Sequence, residues 1–413
     1  MVTKYDIFEY MYKKGSPLTP KELAAKFKKS NADYRDIYNM LLDLKNLKIV
    51  NKSKYGFQVV RTQKNDLLYQ IIKFCLKNDI NYNELIDKKI ATFINKALLK
   101  KKVTINDFSL DPRTFSKYIN ILAKNGFLIT LSKKPTIAII PYNSFLRDLI
   151  GYFNQKVLVA KPRLDEFFDE IEKGLKRFKR LRKINEAKYQ NLVKEYQIRF
   201  IHHSLSLEGN PITLPDTIKL LKKQIVPKDY STEDVNEVQN YQKAINQMSL
   251  DAEEKRPITK DSILNYHLLA MQHKQKMAGN IRNKEVFIRG NPNFKVAKAK
   301  EIEAKLAVLL DKYNKFIGKK KNKLKEILEF AAYFHNEFQY IHPFEDGNSR
   351  TTRLITFHLL RTQNIPILDI PLGLLEEYVF STKGSKKRED KKLNQVFQKI
   401  ILYNLKTIND EIS

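Results

Sequence analysis

Residues 341–353 read IHPFEDGNSRTTR and gather most of the groups in this chain that could do chemistry together. His342 is a base whose ordinary pKa lies near neutrality. Gly347, Asn348 and Ser349 follow after a short turn. If a helix starts there, its first backbone N–H groups point beyond the helix end and form an anion site reinforced by the dipole. Arg350 and Arg353 are three apart, so they share a face of the first turn. Two guanidiniums beside such a nest suit a polyphosphate better than a single carboxylate. Asp346 is the natural ligand for a Mg²⁺ that shares phosphate oxygens. The set amounts to a site for a nucleoside triphosphate, with a base poised to deprotonate an attacking hydroxyl.

Two helices must position these groups. Upstream, Leu328, Ala331, Ala332, His335 and Phe338 recur at helical spacing; downstream, Leu354, Phe357 and Leu360 begin a second apolar face, with Ile355 nearby. The string between them reads as a tight turn, with Pro343 ending one helix and Gly347 shaping the bend. All seven histidines fall between His202 and His358, which places the chemistry in the C-terminal half. His202 and His203 read as packing residues, and His335 and His358 as structural ones.

The string resembles the signature of the Fic family, His-Pro-Phe-x-Asp/Glu-Gly-Asn-Gly-Arg-x-x-Arg. It matches at His342, Pro343, Phe344, Asp346, Gly347, Asn348, Arg350 and Arg353. One position departs: Ser349 stands where the family usually has Gly or Lys. If the turn needs a positive φ there, serine costs about 1 kcal/mol and distorts the nest. Arg282, Val286 and Ile288, within NIRNKEVFIRGNPNF, are similar to the family's flap, a hairpin that docks a target segment by strand addition. The usual Pro-Pro after the flap is missing, and Val296 and Ala297 occupy that region. Asn236, Glu237, Val238, Asn240 and Ala244 resemble an early helix of the family, so the likeness covers roughly residues 196–405.

The resemblance implies transfer of AMP from ATP to a Ser, Thr or Tyr hydroxyl of a protein. His342 would be the general base and Asp346 would hold Mg²⁺. The 347–349 backbone and the Asn348 side chain would cradle phosphates whose charge Arg350 and Arg353 neutralise. Val286, Phe287 and Ile288 would dock the target. Removal of AMP, transfer of another nucleotidyl group, or a DNA-binding regulator with a degenerate Fic domain stand as alternatives.

A second string, HHSLSLEGNPITL, contains Ser204, Glu208 and Gly209 in the spacing Ser-x-x-x-Glu-Gly. It resembles the inhibitory motif of Fic proteins, whose glutamate reaches the second arginine of the signature, here Arg353. A carboxylate there takes the place of the γ-phosphate and removes a positive charge that would bind it. Ser204 and Glu208 are four apart, on a helix expected to end at Gly209.

Composition bounds the rest. The chain has 413 residues, enough for two or three domains with a real core, and 42% of them are apolar. No apolar run approaches the roughly 18 residues of a membrane helix, and the first ten residues lack the apolar stretch of a signal peptide. The single cysteine, Cys75, excludes an intrachain disulfide and any cysteine-rich zinc site. A reducing, cytoplasmic setting follows as the expectation. Net charge is +30, which raises nucleic acid as a partner. The excess is spread over both halves and is carried mostly by lysine, whereas base-reading surfaces lean on arginine.

The N-terminal third repeats a pattern. LTPKELAAKF reads as a helix, a second follows from about Asn31 with Ile37, Met40, Leu41 and Leu44 inward, and LKIVNKSKYGFQVV reads as two strands about Gly56. Seventy-eight residues on, Phe115, Tyr118, Ile119 and Leu122 repeat the helix spacing, and FLIT-SKKP-TIAII repeats the hairpin. Helix, helix, hairpin is the order of a winged helix. DNA is one expected partner, although Asp33, Asp36 and Asp43 beside Arg35 and Asn39 suit phosphates poorly; Arg113, Lys117 and Asn120 of the second helix suit them better. The expected organisation is a mainly α chain: winged-helix-like α+β units at 1–62 and 63–145, a basic helical connector at 146–195, a Fic domain with a small β-hairpin flap at 196–405, and a tail at 406–413. Expected partners are a protein substrate, the chain itself as a modification target, DNA and a second copy in a homodimer, with no membrane.

Overall fold

The computed structural model describes residues 2–27, 33–159, 166–288, 291–382 and 388–413. They fall into two units, residues 1–100 with 144–159, and residues 101–143 with 160–413. The chain is mainly helical. None of the described helices is long and apolar enough to cross a membrane.

Local signals set the elements of the first unit. α1 (Lys4–Lys14) starts at a Thr3–Asp6 capping box and stops at Gly15 in the left-handed region. α2 spans Pro20–Phe27, and α3 spans Tyr34–Asn46 behind an Asp33 cap. Asn31, where the second helix was expected to begin, lies outside the described residues. Ile37, Leu41 and Leu44 are buried as their spacing requires, Met40 is half-buried, and Asp33, Arg35, Asp36, Asn39 and Asp43 face solvent. β1 (Val50–Ser53) and β2 (Gly56–Val59) pair antiparallel. Gly56 has φ +121°, and a Cβ there would meet the Leu18 carbonyl oxygen at 2.6 Å, so only glycine fits. α4 (Gln63–Lys77), α5 (Tyr82–Leu85) and α6 (Lys88–Ala97) follow. Cys75 is buried on α4, and burial pushes its thiol up to about 12, which leaves it inert as a nucleophile.

Residues 101–143 belong to the second unit. α7 (Pro112–Lys124) starts with Pro112 behind an Asp111 cap and buries Phe115, Tyr118, Ile119 and Leu122. Arg113, Lys117 and Asn120 are exposed on its other face. β3 (Ile129–Lys133) and β4 (Thr136–Ile139) pair antiparallel with a bulge at Thr130–Ser132. α8 (Ser144–Tyr152) belongs to the first unit and packs on α4 and α6.

The rest of the second unit is a helical assembly. α9 (Phe168–Ile184) and α10 (Glu186–Ser206) meet at Asn185, where Arg182 forms a two-armed pair with Glu186. Then come α11 (Leu214–Lys223), α12 (Thr232–Glu253), α13 (Lys260–Met271), α14 (Ile302–Ile317), α15 (Leu324–Ile341), α16 (Asn348–Thr362), α17 (Leu375–Thr382) and α18 (Asp390–Glu411). α16 lies at the centre, packed by α12, α13 and α15; α18 packs on α15 and α9. Every residue of α16 from Asn348 to Leu360 is buried. The sequence shows only one apolar stripe there, because its other faces are Thr and Arg side chains that find polar partners inside.

Candidate active site

The site lies at the N-terminal end of α16, next to the C-terminal end of α15. α15 buries Leu328, Ala331, Ala332, His335 and Phe338 and ends at His342, which adopts φ 49°, ψ 60°. That left-handed cap turns the chain out of the helix, and the His342 N–H still donates to the Phe338 carbonyl at 2.9 Å. The His342 Nδ1 faces the Gln339 carbonyl oxygen at 3.3 Å. A carbonyl accepts only, so Nδ1 carries a proton, and in the neutral ring the lone pair sits on Nε2.

Gly347 is the N-cap of α16, with φ +78°. A Cβ at this position would lie 2.8 Å from Met271 Cγ and Sδ and 3.0 Å from His267 Nε2. Both the backbone angle and the close approach of α13 therefore demand glycine. Having no side chain, Gly347 leaves the first N–H groups of α16 without a cap of its own. Asn348 spends its amide on the loop: Oδ1 accepts the Phe344 N–H at 3.0 Å and Nδ2 donates to the Phe344 carbonyl at 2.8 Å. It therefore fixes the shape of the turn. Ser349 lies inside α16 and is absent from the positive-φ positions. The strain expected of serine does not arise, because the residue needing a left-handed backbone is Gly347.

The charges interlock. The Asp346 carboxylate accepts from Lys274 at 2.8 Å, from Arg350 at 2.8 Å and from the Gly347 N–H at 2.6 Å. Burial alone would raise its pKa, but Arg350, Lys274 and the Gly347 N–H outweigh burial and hold it well below the usual carboxylate range. Arg350 is buried and also pairs with Glu237 of α12. Arg353, 2% exposed, makes three contacts with the end of α10 and the turn that follows it. Its Nε donates to Ser204 Oγ at 2.6 Å, and one terminal nitrogen donates to the Ser204 carbonyl at 3.1 Å and to Glu208 at 2.8 Å. Burial would lower the Arg353 pKa, but the Glu208 carboxylate more than offsets it, so the guanidinium stays charged. α10 ends at Ser206 rather than Gly209, and Glu208 sits in the turn that follows, with Gly209 at φ +98°.

The segment expected to be the flap is tethered to the 342–347 turn. Arg282 donates through Nε to the His342 carbonyl at 2.7 Å and through its other nitrogens to the carbonyls of Ala297 at 2.6 Å and Lys284 at 2.7 Å. Val286, Phe287 and Ile288 make no strand pairing among the described residues, and Arg289 and Gly290 lie outside them. Phe287 is 75% exposed, while Ile288 is buried.

Several supports escaped sequence reading. His267 accepts the Gly279 N–H at Nδ1, 2.9 Å, which places its proton on Nε2; that nitrogen donates to the Asp346 carbonyl at 3.0 Å. Its ring stacks on Phe344 at 3.6 Å, and burial pushes its pKa down to about 4, so it braces the turn as a neutral ring. Tyr241 of α12 takes the Ser204 hydroxyl's hydrogen bond at 2.8 Å and faces the Arg350 carbonyl at 3.4 Å. Periodicity marks both as core positions and carries no sign of these contacts. His203 pairs with Asp369 at 2.9 Å, and His335 faces Thr356 Oγ1 at 3.1 Å, both in buried surroundings. Among the described residues no cluster of three or more His, Cys, Asp or Glu could cage a metal. One ionised carboxylate beside a phosphate cradle nevertheless fits Mg²⁺, which takes one or two carboxylates plus phosphate oxygens and water.

Residues 342–353 thus bring two arginines, an ionised carboxylate and a histidine to one helix N-terminus. Residues 257–360 match the Fic/DOC family, and the chain carries a Fic/DOC domain. Two curated relatives, each called protein adenylyltransferase Fic, are similar to part of it. The one from Drosophila persimilis is 28% identical over 186 residues, covering 45% of this chain and 35% of its own length. The one from Drosophila melanogaster is 27% identical over 188 residues, covering 45% and 36%. The chain thus spans about a third of the length of these relatives. A Fic domain containing signaling protein from Bacteroides thetaiotaomicron shares the fold with a TM-score of 0.51 and 21% identity, over 59% of this chain and 97% of that one.

Proposed function

We propose that the second unit is a protein adenylyltransferase that moves AMP from ATP to a hydroxyl of a protein and is held back by Glu208. The observation that carries the reading is the His342 ring, its Nδ1 turned to the Gln339 carbonyl, beside a start of α16 whose N-cap, Gly347, has no side chain, with Asp346 just before it and Arg350 and Arg353 in its first turns. A target hydroxyl oxygen attacks the α-phosphorus, Nε2 of His342 takes the hydroxyl proton, and pyrophosphate leaves. The first N–H groups of α16 and the Arg353 guanidinium accept the charge of the phosphates. Asp346 would hold Mg²⁺, which would supply charge neutralisation to the phosphates there. Val286 to Ile288 would lie along the target segment, with Phe287 offered to it. Positioning and fixed electrostatics supply most of the rate gain.

In the observed state Glu208 occupies Arg353. ATP then meets an arginine already neutralised, and its γ-phosphate loses its partner. The names of the curated relatives support the reaction class, and the ion pair supports the restraint. The test is intact-mass measurement of Glu208→Gly after incubation with ATP and Mg²⁺. A gain of one adenylyl group per chain, absent in a Glu208→Gly/His342→Ala double variant, is the expected result. No mass gain on the chain or on any added protein refutes the reaction class.

A further inference from the structure

The turn that carries Glu208 is not held by its ion pair alone. Two residues further on, Asn210 is buried, 4% exposed, and its side chain is used at both ends. Oδ1 accepts the Ile212 N–H at 3.0 Å. Nδ2 donates to the Asp234 carbonyl at 3.1 Å and to Glu237 at 2.8 Å. The Asn210 N–H donates to the Leu205 carbonyl at 3.1 Å, which closes the turn on the end of α10. Glu237 is itself the partner of Arg350. One carboxylate on α12 therefore grips both the inhibitory turn and the first arginine of the cradle. Between these anchors, Leu207 packs on the core and the Glu208 and Gly209 N–H groups donate back to the Leu205 and Ser206 carbonyls at 2.9 and 3.3 Å. Gly209 itself is exposed at φ +98°, and a Cβ there would meet nothing within 4 Å, so no side chain packs at the point where the turn leaves α10 for Asn210.

We propose that Asn210 is a positioning residue for the brake: through Glu237 and the Asp234 carbonyl it pins the 207–210 turn to α12 and registers Glu208 against Arg353. The inference rests on the transferase reading and deepens it. Without the pin, Glu208 keeps its charge but loses the fixed geometry that lets it outcompete a phosphate. An ion pair whose partner swings on a free turn gives up much of its advantage to conformational entropy. The Nδ2 donor carries the effect, since Oδ1 serves only the local turn.

The test measures self-labelling with labelled ATP for the full chain and for Asn210→Ala, Asn210→Asp, Glu208→Gly and Glu208→Gly/Asn210→Asp. Asn210→Asp keeps the oxygen that caps Ile212 and loses the donor to Glu237. It is expected to raise labelling about tenfold, the effect of losing one or two buried hydrogen bonds, and Asn210→Ala is expected to follow it. In the Glu208→Gly background Asn210→Asp is expected to add nothing, since there is no brake left to release. A rise of similar size in both backgrounds overturns the inference, as does wild-type labelling in Asn210→Asp while Glu208→Gly labels strongly; the transferase reading survives both results. If no variant labels, the transferase reading fails, and a fluorescent ATP analogue decides the pin. Tighter binding by Asn210→Asp than by wild type upholds it, and equal binding overturns it.

Discussion

The Glu208–Arg353 pair makes the most exacting prediction, because the arginine is buried and cannot turn to water once its partner is gone. Glu208→Gly leaves the guanidinium with neutral partners alone, the Ser204 hydroxyl and carbonyl and the hydroxyls of Tyr241 and Tyr378. Removing one member of a buried ion pair costs about 3–5 kcal/mol; the surviving contacts place this case near the lower end. For a unit of this size that is a fall in Tm of roughly 5 °C. The bound phosphates of ATP supply the missing negative charge, so saturating ATP with Mg²⁺ is expected to restore much of that fall while moving the wild type little. Differential scanning fluorimetry reads both numbers. Glu208→Gln is the control, since it keeps the side chain's length and a hydrogen-bond acceptor but not the charge, and it is expected to fall between the two. A Glu208→Gly protein whose Tm and ATP response match the wild type would refute the argument that this carboxylate neutralises Arg353.

Three further expectations follow from the same geometry. His342→Ala in the Glu208→Gly background should abolish self-labelling yet keep the ATP-induced rise in Tm, since the ring acts on a proton and not on the phosphates; persistent labelling would remove His342 as the base. Gly347→Ala should cost about 2–4 kcal/mol from the left-handed backbone and the Met271 overlap together, and should erase the ATP response; an unchanged urea midpoint would contradict the tight approach of α13. Burial lowers His335 to about 3 and His267 and His358 to about 4, so the folded protein keeps them neutral at pH 5 while the unfolded chain protonates them from about 6.5 downward. Their stability contribution is complete above that value and is lost as pH falls toward their folded pKa values, by up to about 1.4 kcal/mol per pH unit for each ring. The urea midpoint should drop between pH 7 and 5, and less steeply in His335→Gln; an equal slope in that variant would sink the assignment.

Much of the site was written locally. A base, a proline, a glycine and two arginines at fixed spacing can only make a turn into a helix, because φ preferences and the 3.6-residue repeat act over neighbours. The hairpins about Gly56 and after Phe127 and the inward faces of α7 and α15 were legible for the same reason. The place of strain was not: Ser349 was suspected, but whether position 347 or 349 carries the positive φ depends on where α16 begins against α13.

Left to itself, the sequence determined which groups are available: a histidine, a glycine-led helix start with two arginines, one carboxylate beside it, and an acid of the right spacing upstream. Only the tertiary structure decided who holds whom. Glu208 reaches Arg353 across 145 positions of chain, Glu237 grips Arg350 and Asn210 at once, and His267 braces the turn from another helix. Those choices depend on how α10, α12 and α13 pack around α16, and packing is a property of surfaces brought together from far apart. No local pattern of residues encodes it.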